Sequence, residues 1–473
     1  MAGDATGRDT AGPPARGLAL PQATALVLGS VIGVGVFDMP GSLAEFGPIS
    51  IVALALTTVG ALCVALLFAS LASRLPADGG PYAYARVAFG NGVGFATAWL
   101  YWITTWGGNA AIAVGWVLYV EKFVNTGHAK VFTVLLVLAG IWGTALINLA
   151  GLRRMGQFQL WTSILKFFPL LLIAVAGLFF LDLDNFASWN TSGMSAVPAI
   201  GGAMALCLFA YIGVESASVG AARVRDPQRN IPRATMTGTL LASVAYLLSL
   251  VTVFGLVPSE QLRTTSAPFS AAAENLTGFA WAGEAVALVV VISGFGTLNG
   301  WTMLAAEMPR AAAQDGLFPA RFDRLSRRGV PAFGVLTAAG LATVVVLVSY
   351  AGSTGYAVFN TLVLMVGIAA AVPYGLSALA QIRWRLADRR QITTSRLVRD
   401  VVISVVVVAF SILFVVYSTN TEEHGLARYE SFLYAGVILL VGLPVYLANR
   451  SRMTPPPQPP PAVADLVGQD RRA

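Results

Sequence analysis

The chain has 473 residues, of which 56% are hydrophobic and only 11% charged, and its mean hydropathy is +0.72. Soluble domains carry about 25% charged residues, so this chain lacks the charge to cover a water-facing surface of its size, and lipid must solvate most of it. The two cysteines, Cys63 and Cys207, lie far apart in apolar segments and form neither a disulfide framework nor a metal-ligand spacing.

From the N-terminus, residues 1–20 are largely polar, lack the apolar stretch of a signal peptide and read as a disordered cytoplasmic end. Apolar runs of about twenty residues or more follow, such as 131-VFTVLLVLAGIWGTALINLA-150 and 401-VVISVVVVAFSILFVVYSTN-420. As helices they span the roughly 30 Å of a bilayer core. A transmembrane barrel would show alternating segments of about ten residues instead, and backbone groups in lipid must be satisfied within each segment. Read against glycine and proline punctuation, the runs predict an all-α membrane protein with twelve transmembrane helices, at 21–46, 48–73, 92–121, 129–150, 156–181, 194–221, 232–257, 279–312, 332–350, 355–382, 399–419 and 429–449. These make one transmembrane domain over 21–450. The proline-rich tail, 451–473, reads as a second disordered cytoplasmic end.

Orientation follows from the basic residues. Alternate loops and the two ends hold 25 of the 30, all arginine, whereas the opposite loops hold only Lys122, Lys130, Arg263 and Arg428. That asymmetry predicts that both termini are cytoplasmic. It also accounts for the calculated pI of about 9.6 without any nucleic acid. The remaining basic residue, Lys166, falls inside the fifth span. Both histidines, His128 and His424, fall in predicted outer loops, so a histidine-based catalytic site is not expected; nor is a metal or cofactor site. Asp38 and Glu307 sit nearer span ends and read as solvated or paired with loop arginines.

Two spans break their own helical pattern at matching places. The first reads 29-GSVIGVGVFDMP-40, with Gly33 and Gly35 near mid-membrane; the sixth reads 208-LFAYIGVESASVG-220, with Gly213 at the break and Glu215 just beyond it. Glycine weakens a helix by about 1 kcal/mol relative to alanine, and unwound backbone at membrane depth survives only where it is buried in protein or lines a cavity. Matching breaks five helices apart point to an inverted-repeat secondary transporter, with repeats over about 21–181 and 194–382 and peripheral helices over about 399–449. The alternative for the glycines is close helix packing.

GSVIGVGVF, FAYIGVESASVGAARVRDPQRNIPRAT at 209–235 and NGWTMLAAEMPRAAAQDGLFPARF at 299–322 together resemble the amino acid–polyamine–organocation superfamily. The likeness is strongest to its basic amino acid and polyamine antiporter branch, that of the arginine–agmatine antiporters. The resemblance implies the leucine-transporter fold: a five-plus-five inverted repeat and two further helices. It implies that Gly33, Val34 and Gly35 donate to a substrate carboxylate, that Ile212 and Gly213 accept from its amino group, and that Trp301 packs on its side chain. Tyr101, Thr105 and Asn109, four apart, share one helix face; the family assigns side-chain recognition to the asparagine, and a polar tie between helices is the competing role for it. Tyr101, Glu215 and Tyr374 match an inner-gate trio, and an acid inside a span is a functional candidate in itself.

Three positions depart from that pattern. Phe209 stands where the arginine antiporters have tryptophan, and Val34 and Val366 stand where they have serine. The pocket is thereby less polar, and neutral or bulky apolar amino acids enter as substrates. In 165-LKFFP-169, Lys166 resembles the lysine that occupies a sodium position in related carriers, where its ammonium would bridge carbonyls of spans one and eight. It is expected either to cycle its proton or to stay charged as a fixed substitute ion; snorkelling to the interface is the plain alternative. The expected function is a secondary active carrier of amino acids, an antiporter or proton-coupled permease in a bacterial inner membrane. A basic amino acid and polyamine exchanger and a non-transporting amino acid sensor are the alternatives. The expected partners are an amino acid or amine, protons, the lipid bilayer and a second copy in a homodimer.

Overall fold

The structure, a computed structural model, describes residues 18–151, 165–167, 169–219, 221, 224–353, 355–419 and 429–457. Residues 1–17 and 458–473, the loop bearing Arg153 and Arg154, Arg223, and the 420–428 loop with His424 and Arg428 lie outside the described residues. Regular structure among the described residues is helical apart from one bridge pairing Leu18 with Val224.

The first break is where the sequence put it: α1 (Leu20–Val31) and α2 (Gly35–Leu43) are separate helices. They are followed by α3 (Ser50–Arg74), α4 (Pro81–Phe89), α5 (Asn91–Val124), α6 (Lys130–Ala150) and α7 (Leu165–Phe180), the last tightening into a 3-10 turn over Gly177–Phe180. The second break lies between α8 (Ala196–Cys207) and the short α9 (Ser216–Val219). The remainder are α10 (Pro227–Leu256), α11 (Ser259–Thr264), α12 (Pro268–Thr277), α13 (Ala280–Gln314), α14 (Ala332–Gly352), α15 (Gly355–Ala387), α16 (Thr394–Tyr417) and α17 (Glu430–Asn449).

Among the described residues ten helices are long and apolar enough to cross a membrane, with α1 and α2 taken together as one. Two expected spans are shorter. α7 emerges beside residues outside the described set, and the Ala196–Tyr211 segment stops where the chain unwinds. The sequence reading left α4, α11 and α12 in loops; α4 and α12 each begin with proline in the first turn, where its missing N–H has no cost.

The 34-residue α5 is the axis of the bundle. Its most apolar stretch is 89% buried, against 33% for α16 and 17% at the C-terminal span, which are therefore the lipid-facing rim. The α5 indoles tie it to neighbours: Trp102 donates to Ala305 O at 3.0 Å, Trp116 to Val291 O at 2.8 Å and Trp99 to Ile438 O at 2.9 Å. Hydroxyls buried in apolar helices turn back on their own backbone, as Thr57 does to Ala53 O and Thr239 to Thr235 O. On one face of the molecule the loop arginines are paired, Arg74 with Asp388 at 2.6 Å, Arg86 with Asp315 at 2.7 Å and Arg385 with Asp400 at 2.8 Å.

Close packing holds α16 on. Phe410, Phe414 and Tyr417 press into Gly60 of α3, Gly367 of α15 and Gly201 of α8, so that an added Cβ would come within 2.6, 2.3 and 2.3 Å of a ring atom. Small residues give membrane helices this kind of approach where no hydrophobic drive separates protein from lipid. Gly60→Ala and Gly367→Ala are each expected to destabilise by about 1–3 kcal/mol through overpacking. Gly340→Ala, whose Cβ meets nothing within 4 Å, is the control. Thermal unfolding in detergent should rank the three variants accordingly.

Candidate functional site

The two breaks face each other. Between α1 and α2 the Gly33 amide donates to Val31 O at 2.9 Å, and the helix resumes with Phe37 N donating to Val34 O at 2.8 Å. The amides of Val34 and Gly35 fall at the head of α2, where helix geometry leaves the first N–H groups without intrahelical acceptors. Gly35 has to be glycine: an added Cβ would lie 2.8 Å from the Phe209 ring of the other break. In that second break a 3-10 turn over Leu208–Tyr211 passes into extended Ile212 and then Gly213 at φ +113°. A side chain there would also strike Ser30 O of α1 at 3.0 Å.

One side chain that the sequence did not single out joins the breaks. The Tyr246 hydroxyl of α10 lies 2.7 Å from Val31 O and 3.1 Å from Ala210 O, one carbonyl at each interruption. Its ring stands edge-on to Tyr211, whose hydroxyl meets that of Thr58 at 2.6 Å. A tyrosine at helical spacing in an apolar run carries no sequence signal for this; only the fold brings it 215 residues back to Val31.

Glu215 is buried, and its carboxylate is fully engaged. Tyr101 donates to Oε1 at 2.8 Å, Tyr374 to Oε2 at 2.7 Å, and the Gly213 amide to Oε2 at 3.2 Å. The three residues grouped from sequence therefore meet, each from a different element. Lys166, equally buried, donates from Nζ to Gly29 O at 2.6 Å, one turn before the first break. The second carbonyl, expected from α13, is not a hydrogen-bond partner of Lys166 among the described residues, so the ammonium is fastened to one side only.

A third group gathers around one turn of α5. Gly108 lies under Trp301, Gly107 against Val366, and Asn109 donates to Thr302 Oγ1 at 2.9 Å while its own Oδ1 takes no donor. Thr105 turns away to Trp102 O at 2.7 Å. Asn109 thus ties two helices and still carries an unused acceptor. A small cavity of about 10 Å³ lies between the two breaks and α15, lined by Gly35, Met39, Ser42, Phe209, Phe359 and Asn360 among others. Of the residues expected at the site, Gly35 and Phe209 line it; Trp301, Asn109 and Val366 do not. Ser42, Phe359 and Asn360 were missed, because nothing in an apolar helix distinguishes a cavity-facing residue from a packed one.

Asp38 corrects the sequence reading. It is neither solvated nor paired with an arginine: it is wholly buried in α2, and neither carboxylate oxygen has a hydrogen-bond partner. Pro40 lies inside α2, which runs on to Leu43. Glu307, by contrast, is half-buried.

The profile of the amino acid permease family matches residues 18–443. The chain is 31% identical over 375 residues to the cadaverine/lysine antiporter of Escherichia coli K12, an overlap covering 78% of this chain and 84% of that protein. It is 31% identical over 363 residues to the putrescine transporter PotE of Haemophilus influenzae, covering 76% and 82%. To a putative arginine/ornithine antiporter of Bacillus subtilis it is 30% identical over 459 residues, covering 89% and 95%. With interrupted helices at its centre and relatives of this kind along most of its length, the chain belongs to the amino acid permease family of the amino acid–polyamine–organocation superfamily, on the branch of these antiporters, and is a multi-pass secondary transporter rather than an enzyme.

Proposed function

We propose that the chain exchanges basic amino acids and their amines across a bacterial inner membrane by alternating access. The observation that carries this reading is the apposition of the two breaks, Gly35 against Phe209 and Gly213 against Ser30, beside a cavity. In the proposed arrangement α7 and the α8–α9 segment add to the ten longer helices to make twelve crossings with a five-plus-five inverted repeat. The amides of Gly33, Val34 and Gly35 hold the substrate carboxylate, the carbonyls near Ile212 and Gly213 hold its amino group, and Trp301 bounds the side chain. The clasp of Tyr101 and Tyr374 on Glu215 closes the cytoplasmic path. The names of the relatives support the substrate class. The apolar replacements Val34, Phe209 and Val366 favour a second reading, exchange of neutral amino acids by the same machinery.

Both termini are assigned to the cytoplasm on the arginine asymmetry. With Cys63 and Cys207 replaced by serine, single cysteines in the 420–427 loop should react with an impermeant maleimide in intact cells, and cysteines at 388–393 should not. The reverse pattern overturns the topology.

Trp301→Ala and Glu215→Ala should each abolish exchange in proteoliposomes while the protein stays folded and monodisperse. Tyr374→Phe removes one hydrogen bond to a charged group, worth about 1.5–3 kcal/mol, and should slow exchange by roughly tenfold or more. Normal rates in the Glu215 variant would remove the clasp from the mechanism.

Lys166→Ala should damage transport, because it leaves Gly29 O buried without its donor, and an unsatisfied buried group costs about 1–3 kcal/mol. Uptake by the unaltered chain should be independent of sodium. A rate that varies with pH only while Lys166 is present assigns it a cycling proton; a flat profile assigns it a fixed positive charge. An unchanged Lys166→Ala rate reduces it to a packing side chain.

A further inference from the structure

Asp38 is an acid that the protein leaves without a partner. Its side chain is wholly buried, and neither oxygen meets a donor. Glu215, the other acid at the centre of the bundle, takes three donors. The place of Asp38 in the first turn of α2 gives it some favour from the helix dipole, but that does not replace hydrogen bonds. Buried charges in proteins are paired, and within a membrane span they mark sites where something passes.

The surroundings limit what the missing partner can be. Asp38 Oδ2 lies 2.1 Å from the point that a Cβ on Gly115 would occupy, so α5 holds a niche open there by lacking a side chain. The same point lies 3.0 Å from the edge of the Phe359 ring. Phe359 also lines the cavity at the breaks and stands edge-on to Phe209 and to Tyr356, at 6.1 and 6.3 Å. One aromatic ring therefore borders both the carboxylate and the substrate cavity. The phenols nearest in charge, Tyr119 and Tyr356, are committed elsewhere, Tyr119 donating to Phe37 O at 2.9 Å and Tyr356 to Ser266 O at 3.4 Å. Fixed cations are committed too, Arg263 beside Glu45 and Lys122 to Glu274. On the cavity wall beside the niche, Ser42 Oγ and Asn360 Oδ1 are likewise unpartnered.

We propose that Asp38, behind the Phe359 ring, is the specificity-determining residue that takes up the side-chain ammonium of a cationic substrate, with Ser42 and Asn360 as flanking acceptors. The proposal rests on the exchanger reading above and deepens it. The apolar replacements around Trp301 do not then argue against a cation, because the charge is read from α2 and α15.

The test compares lysine with norleucine, which has the same chain length without the ammonium, as competitors of counterflow in proteoliposomes. The unaltered chain is expected to prefer lysine by tenfold or more. Asp38→Asn should weaken lysine by tenfold or more and leave norleucine unchanged, and Asp38→Glu should keep the lysine preference. Gly115→Ala, which fills the niche, should reproduce the loss without touching the charge, and serves if Asp38→Asn proves unstable. A lysine-to-norleucine ratio that is the same in Asp38→Asn as in the unaltered chain overturns the proposal and leaves a hydrated structural acid. Exchange of neutral amino acids with no lysine preference in the unaltered chain overturns it together with the basic-substrate reading and leaves neutral exchange by the same machinery. Absence of exchange for every substrate overturns both.

Discussion

A peptide group inside a bilayer has no water to turn to, and each one left unpaired costs several kcal/mol. Interrupting two helices at membrane depth is therefore the most expensive feature of this chain, and much of its buried polar chemistry answers it. Tyr246 reaches Val31 O and Ala210 O with one hydroxyl. Lys166 takes Gly29 O, just before the first break. Glu215 accepts from the Gly213 amide inside the second. These three side chains come from α10, α7 and the break itself, so disturbing any of those elements loosens the centre.

Polar satisfaction requires close approach, and glycine supplies it. Gly35 lets Phe209 lie on the first break, Gly213 lets the second lie on Ser30 O, and Gly107 and Gly108 let α5 receive Val366 and Trp301. The same device recurs at the rim, where three rings of α16 sink into glycines of three different helices. Core and rim differ in what the contact does. At the rim it fixes a helix in place; at the centre it brings two interrupted helices within reach of one cavity.

Much of this was legible in the sequence, for a physical reason. Breaks in membrane helices are written locally, as glycines beside a buried acid, and Gly33, Gly35, Gly213 and Glu215 all fall at the interruptions. Long apolar runs likewise mark helices wherever the run is uninterrupted; α8 falls short of a full span because it ends in a break. What could not be read is partnership across helices. Tyr246 looks like any aromatic in an apolar helix, Ser42 and Asn360 look like packing hydroxyl and amide, and Asp38, nearer a span end, reads as solvated or paired with a loop arginine. In each case the deciding neighbour is in another helix, and single-sequence periodicity gives a face without saying what that face meets. Lys166 shows the boundary well: its burial and its bond to a carbonyl of α1 agree with the expectation, while the expected carbonyl of α13 is not among its partners in the described residues.

Glu215 and Asp38, the buried acids beside the two breaks, divide the labour in a way that bears on coupling. Glu215 has its hydrogen bonds within the protein and gains nothing from a ligand, so it can hold one conformation closed. Asp38, Asn109 Oδ1, Ser42 Oγ and Asn360 Oδ1 have polar atoms that the protein does not satisfy. A ligand shifts a conformational equilibrium only by its differential affinity for the two states. Groups that are unpaired when the cavity is empty make a loaded centre easier to seal from both sides than an empty one. A carrier built this way crosses readily with substrate and reluctantly without it, and that inequality, rather than any single contact, is what separates an exchanger from a uniporter.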